Sequence, residues 1–349
     1  MKRGFGSDNH SGVHPKILKS LFDANIEHAP SYGTDEWTER AQKQFQKHFG
    51  PQAQAFFVFN GTAANVTALR AMTKPYQSVF CSDVAHIHVD ECGAPEFMAG
   101  VKLHPLASVN GKLSVEVLEK AFIRRGDQHY SQGQVLSITQ PTELGTVYSQ
   151  EEMKSLIAWT KERGLAVHID GSRLANAAFY LKKSFKEITT DLGADVISFG
   201  GTKNGLMMGE AVVLLNKDFA RDFKYIRKQS AQLPSKTRFI ATQFEAYFQD
   251  HLWQDIAGHA HHKALELFDA VKDIPGVSVG ETPQSNAVFI TLPRSWIKAL
   301  REDYFFYVWD EHTFQCRFMT SWDTQSEDIQ GLAKKMKEFC YEIPSRPLS

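Results

Sequence analysis

A chain of 349 residues is long enough to bury one large α/β core and a smaller second one without disulfide or metal staples. Its 39 basic and 40 acidic residues are interspersed and leave a formal net charge of −1, which argues against a nucleic-acid or anionic-membrane partner and for a small-molecule substrate. The four cysteines, Cys81, Cys92, Cys316 and Cys340, have no zinc-ribbon spacing, and no stretch approaches the ~20 apolar residues of a membrane span; a soluble, cytoplasmic protein with reduced thiols is expected.

The first fifty residues have a basic start with no apolar stretch behind it, then two helical stretches, 14–24 and 36–48, around a polar loop; they read as an N-terminal arm or lid. From there, apolar runs short enough for buried strands alternate with helical patterns. The strands are predicted at 54–59, 77–81, 101–104, 134–139, 165–169, 195–199 and 210–215, with helices at 62–73, 88–99, 114–125, 149–163 and 184–192. This order is that of a mostly parallel seven-stranded sheet wrapped by helices, a large domain over 51–250. Ser149 followed by Glu152 forms a capping box, and Gly164 ends the helix it starts. The run 210–215 follows its predecessor after about ten residues, too few for a parallel crossover, so it is expected to run antiparallel. Helical pattern continues to about 275. Short strands at 277–280, 286–292, 304–309 and 314–319, with helices at 295–302 and 326–341, then predict a small C-terminal α+β domain over 251–349.

In an open α/β sheet, ligands bind outside the carboxyl ends of the strands, and three polar segments fall there. Asn60-Gly61-Thr62-Ala63-Ala64-Asn65 follows the first strand and opens a helix, where backbone N–H groups and a hydroxyl can surround a phosphate or simply cap a turn. His168-Ile169-Asp170-Gly171-Ser172-Arg173 places an acid where it can bond a protonated ring nitrogen or cap a turn; Arg173 suits a carboxylate or a surface acid equally. Gly200-Gly201-Thr202-Lys203-Asn204-Gly205 holds a lysine between glycines, and a desolvated ammonium loses its proton and attacks an aldehyde. A phosphate cradle, a strand-end acid and a strand-end lysine are together the three fixed points of a pyridoxal cofactor. His86-Ile87-His88 supports a rival reading: on a strand, two such imidazoles share a face and, with Asp170, would hold the metal of a hydrolase. No further His lies at a matching strand end, and His259, His261 and His262 fall in a stretch expected to be solvated, so no metal site is expected.

These segments resemble, in order and over nearly the whole chain, the threonine aldolase and β-eliminating lyase family of fold-type-I pyridoxal-phosphate enzymes. The matching motifs are Ser7-Asp8-Asn9, Tyr32-Gly33, Asn60 to Asn65, Ala85-His86, Asp90-Glu91-Cys92-Gly93-Ala94-Pro95-Glu96, His168 to Arg173 and Phe199 to Gly205. The segment 139–148 is similar to one carried by the low-specificity L-threonine and phenylserine aldolases. The resemblance implies pyridoxal 5'-phosphate held by Lys203 as Schiff-base lysine and by Asp170 at the ring nitrogen. It implies phosphate contacts from Gly61, Thr62 and Asn65, and from Arg238 of a neighbouring subunit, with His86 stacked on the ring. Ser7, Arg173 and Arg317 would meet the substrate carboxylate, while Tyr32 and Glu91 line the pocket. The implied reaction is retro-aldol cleavage of a β-hydroxy-α-amino acid to glycine and an aldehyde, in a homodimer or homotetramer with its active site at the subunit interface; β-elimination or racemisation on the same scaffold is the alternative. One departure stands out: Thr139-Gln140-Pro141-Thr142-Glu143 replaces the Asn-Thr-His-Asn-Arg of much of the family. The histidine suited to act as base and the arginine after it are both missing, which leaves His86 or an ordered water to take the β-hydroxyl proton and Glu143 to help orient it.

Overall fold

The computed structural model describes residues 3–341; the ends of the expected N- and C-terminal regions, 1–2 and 342–349, lie outside the described residues. The seven apolar runs become β1 (Gln54–Val58), β2 (Gln77–Ser82), β3 (Lys102–Leu106), β4 (Gln132–Thr139), β5 (Ala166–Gly171), β6 (Val196–Phe199) and β7 (Glu210–Leu214). They form one sheet in the order β1-β7-β6-β5-β4-β2-β3, in which only β7 opposes its neighbours. Between β6 and β7 the chain makes a single 3-10 turn, Thr202–Asn204, and without a crossover helix the next strand must return antiparallel. The carboxyl ends of β2, β4, β5 and β6 therefore open on one edge of the sheet.

Local chemistry accounts for several helix starts. Ser149 Oγ accepts from Glu152 N and the Glu152 carboxylate accepts from Ser149 N, which starts the helix Gln150–Glu162. The helix expected at 88–99 breaks up instead. A single turn, His86–Val89, gives way to Cys92 and Gly93 at positive φ (52° and 70°), and Pro95–Ala99 forms a separate turn. The helix Leu174–Leu181 has no sequence-based counterpart, because LANAAFYL is apolar on nearly every side and shows no 3.6-residue period.

Within the stretch expected as an arm or lid, the second helix is a core element. In the helix Glu36–Phe49, Trp37, Ala41, Phe45 and Phe49 recur every four residues on one buried face. Phe45 packs on Phe57, Phe199, Phe244 and Phe248, and Phe49 on Phe185 and Phe199.

The described chain forms two compact units, residues 13–254 and residues 3–12 with 255–341, so the first fifty residues are shared between them. In the smaller unit β8 (Ser278–Val279), β9 (Ala287–Thr291), β10 (Tyr307–Asp310) and β11 (Gln315–Met319) form an antiparallel sheet, β10-β11-β9-β8. Its core gathers Ile290, Leu300, Phe306, Phe318, Leu332 and Met336, and Phe5 joins by bonds from its N–H to Phe305 O and from Met319 N to its own carbonyl. His259 and His261 are not solvated as expected: His259 Nε2 lies 2.8 Å from Thr324 O, and buried His261 Nδ1 lies 3.2 Å from Ser285 O. Only His262 of the three is exposed. All four cysteines are free.

Candidate active site

Alternation along β5 puts His168 and Asp170 on one face of the strand. His168 is fully buried, with Ser137 Oγ on Nδ1 and Ser198 Oγ on Nε2, both at 2.9 Å. Burial pushes its pKa down to about 4, so it is a neutral strut between β4 and β6 rather than a base. Two residues on, Asp170 stands one position before the end of the strand and is 2% exposed. Its Oδ1 accepts from Ser172 N (3.1 Å) and Ser172 Oγ (2.7 Å), and its Oδ2 from Asn65 Nδ2 (2.9 Å). Burial opposes ionisation, but nearby His86 and the Ser172 and Asn65 donors outweigh it and hold the carboxyl below its ordinary range. A dry, ionised carboxylate at a strand end is what a cationic ring nitrogen requires.

The amide of Asn65 also donates to Glu91 Oε1 (2.8 Å), and the same oxygen lies 2.8 Å from His86 Nδ1. Both Asn65 hydrogens are thus engaged by carboxylates. The residue is not placed to donate to a phosphate, the role the resemblance implied for it. Glu91 is buried completely at its side chain, whereas that of His86 is 35% exposed. The bond to Glu91 raises the His86 pKa against the opposing effect of burial. Since an ionised carboxylate only accepts, Nδ1–H faces Glu91 and the neutral ring presents its lone pair at Nε2. His86 and His88 lie two positions apart on a helical turn and point to different sides, so they do not form the chelating pair that a strand would make. Glu143, from the loop after β4, accepts from His86 N at 2.7 Å, while its Oε2 is buried without a hydrogen-bond partner. Burial pushes Glu143 up to about 7, with the His86 N–H opposing.

Lys203 lies in the 3-10 turn after β6, on a loop packed against β5. A Cβ on Gly200 would stand 2.0 Å from Ser172 O and one on Gly201 2.4 Å from Gly209 O, so only glycine lets these segments approach. Asn204 Nδ2 donates to Ser172 O and Gly200 O, both at 3.1 Å, and buried Glu210 accepts from Gly201 N. Glu210 was not singled out in the sequence, yet it opens the otherwise apolar strand EAVVL, and an acid at the head of a buried strand was the available signal.

At the end of β1, Asn60 Oδ1 caps the helix Gly61–Met72 by accepting from Ala63 N, and the space beside Gly61 Cα is open. The first N–H groups of a helix have no partner within it, so Gly61 and Thr62 offer donors to an anion. A cavity of about 300 Å³ lined by Asn60, Thr62, Ser230 and Gln232 adjoins them. Arg173 directly precedes the helix Leu174–Leu181. Tyr32 (φ 63°) and Arg238 lie elsewhere on this unit: Tyr32 N donates to Ser235 O, Lys228 stands over the Tyr32 ring, and Arg238 Nη1 donates to Ile26 O. Ser7 and Arg317 belong to the smaller unit. Ser7 caps the turn Asp8–His10, and the Arg317 guanidinium stacks 4.7 Å from the Trp309 ring centroid.

Residues 4–293 match the family described as Beta-eliminating lyase. The chain belongs to the beta-eliminating lyase family. This lyase is 43% identical over 338 residues to the low specificity L-threonine aldolase of Pseudomonas aeruginosa, covering 95% of this chain and 96% of that one. It is 41% identical over 338 residues to the enzyme of the same name from a Pseudomonas species, with 95% and 96% covered. The solved structure of Leishmania major threonine aldolase superposes with a TM-score of 0.91 at 28% identity, over 97% of this lyase and 99% of that chain. The resemblance read from the motifs and the α/β class read from the pattern thus both hold.

Proposed function

We propose that this lyase is a pyridoxal-phosphate aldolase that cleaves β-hydroxy-α-amino acids, L-threonine, L-allo-threonine or phenylserine, to glycine and an aldehyde. The observation that carries the reading is the buried Asp170 at the end of β5, with a glycine-held lysine in the loop after the neighbouring strand β6. Both lie in the unit whose helix Gly61–Met72 presents an open N-terminus. These residues fit the cofactor: Lys203 supplies the amine that holds its aldehyde, Asp170 the counter-charge at its ring nitrogen, and Gly61 and Thr62 the donors for its phosphate. When bound, the cofactor supplies an electron sink for the pair left on Cα as Cα–Cβ breaks.

The remaining work falls to the chain. His86, with Nδ1–H on Glu91, offers Nε2 to the β-hydroxyl proton, and Glu91 stabilises the imidazolium that forms. Glu143 holds the His86 backbone N–H and so fixes where the ring starts. Arg173 is suited to a substrate carboxylate, and the similar roles implied for Ser7, Tyr32 and Arg317 should appear as a raised KM on substitution by alanine. Arg238 serving a neighbouring subunit makes a homodimer or homotetramer part of the proposal, as is a cytoplasmic location; no helix among the described residues is long and apolar enough to cross a membrane. The test is spectroscopic and chemical. The purified protein should show an absorbance band near ~420 nm that borohydride abolishes, and release aldehyde and glycine from L-threonine and phenylserine. Ammonia and a keto acid instead would replace aldol cleavage by elimination, and a colourless protein would sink the reading.

A further inference from the structure

The side chain of Asn65 touches two carboxylates that the reaction uses differently. One amide hydrogen goes to Asp170 Oδ2 at 2.9 Å and the other to Glu91 Oε1 at 2.8 Å, and Glu91 Oε1 in turn lies 2.8 Å from His86 Nδ1. Asn65, Glu91 and Asp170 are 1%, 4% and 2% exposed, so solvent does not screen the chain. We propose that Asn65 is a positioning residue that joins Asp170 to the Glu91–His86 pair, so that a proton gained or lost at His86 is felt at the ring-facing carboxylate.

The chemistry follows from what an amide can do. A primary amide has two donor hydrogens, and each is spent on one carboxylate, which keeps two buried anions apart and each partly neutralised. When His86 takes up a proton, Glu91 turns its charge toward the imidazolium and its hold on Asn65 weakens. The amide is then free to favour Asp170. When His86 releases the proton, the balance reverts. The other titratable groups facing this chain are Glu143 from the loop after β4, His168 from β5 and Lys203 from the loop after β6. The same side chain was expected at the phosphate; its engagement by the two carboxylates removes it from that role.

This inference rests on the aldolase reading, and the experiment separates the two. Holoenzyme carrying 13C-labelled histidine is titrated by NMR, with the His86 signal assigned by its loss in His86→Gln, and pyridoxal-phosphate affinity is measured alongside. In Asn65→Ala, Glu91 loses a donor and concentrates its charge on His86, so the His86 midpoint should rise by about one pH unit, the worth of one charge-assisted hydrogen bond. Asp170 loses a donor in the same way and concentrates its charge on the ring nitrogen, so cofactor affinity should rise about tenfold. Asn65→Ser, whose hydroxyl donates once, should restore one of the two readouts and not both. A His86 midpoint unmoved in both variants, with only thermal stability lowered, would make Asn65 a packing residue and overturn the proposal. A wild-type protein that binds no cofactor would overturn the functional reading, whereas bound cofactor with an unmoved His86 overturns only the coupling.

Discussion

Two regions of the larger unit are equally dry and differ in almost everything else. Below the sheet edge, Phe45, Phe49, Phe185, Phe199 and Phe244 are all but unexposed and surround one another. At the edge, Asn65, Glu91 and Asp170 are nearly as buried, but they are held by a few directional hydrogen bonds between named atoms. Apolar burial is non-directional and shared among many contacts, so the aromatic cluster can lose one ring and keep its shape. A buried polar group has no such reserve, because an unmade bond costs the full desolvation of the group. The regions meet at Phe199, which ends β6 in the aromatic cluster and hands the chain to Gly200-Gly201-Thr202-Lys203. Stability is supplied by one region and precision by the other.

The comparison breaks most severely at the lysine. Lys203→Ala should abolish the borohydride-sensitive band and reduce aldehyde release to background while leaving thermal unfolding little changed. Phe45→Ala should do the reverse: it is expected to cost about 3–5 kcal/mol in denaturant unfolding, with turnover per folded molecule preserved. If that variant instead lost activity without losing stability, the division between the regions would be wrong.

Glu143 gives a pH-dependent test. Its folded pKa of about 7 stands above the unfolded value of 4.5, so the folded protein binds more protons between these limits and loses stability as pH rises through that window. Glu143→Gln should therefore gain about 1–3 kcal/mol relative to wild type as pH moves from below 4.5 to above 7, with no further change beyond. Parallel stability curves for the two proteins would show that the carboxyl is not buried in solution. The smallest effect is expected at a helix start. Ser149→Ala removes the cap of the helix Gln150–Glu162 and should cost about 1 kcal/mol, read as a lower midpoint with unaltered kinetics.

Much of this arrangement is legible in the amino-acid sequence. The alternation of short apolar runs with helical periods predicts each strand of the large sheet to within a few residues, because burial on both faces leaves a one-dimensional trace. The short connection before β7 forces its direction, and Ser149 with Glu152 marks a helix start, since both depend on residues close in sequence. Asp170 and Lys203 could be singled out because strand ends are where an α/β sheet places its chemistry. Other features lie beyond that trace. The helix Glu36–Phe49 carries a periodic apolar face that could belong to a lid or a core, and only the aromatic rings around Phe45 decide between them. The turn at Cys92 and Gly93, directly after Glu91, has no periodicity to reveal it. Asn65 meets Glu91 across 26 residues of sequence and Asp170 across 105, and Glu143 meets His86 across 57. Hydrogen bonds at that separation are directional and depend on how strands and loops settle side by side. The sequence alone therefore determined the order of the elements and the positions of the lysine and the acid, while tertiary structure decided which polar groups share a proton, because distance and angle between remote residues exist only once the sheet has formed.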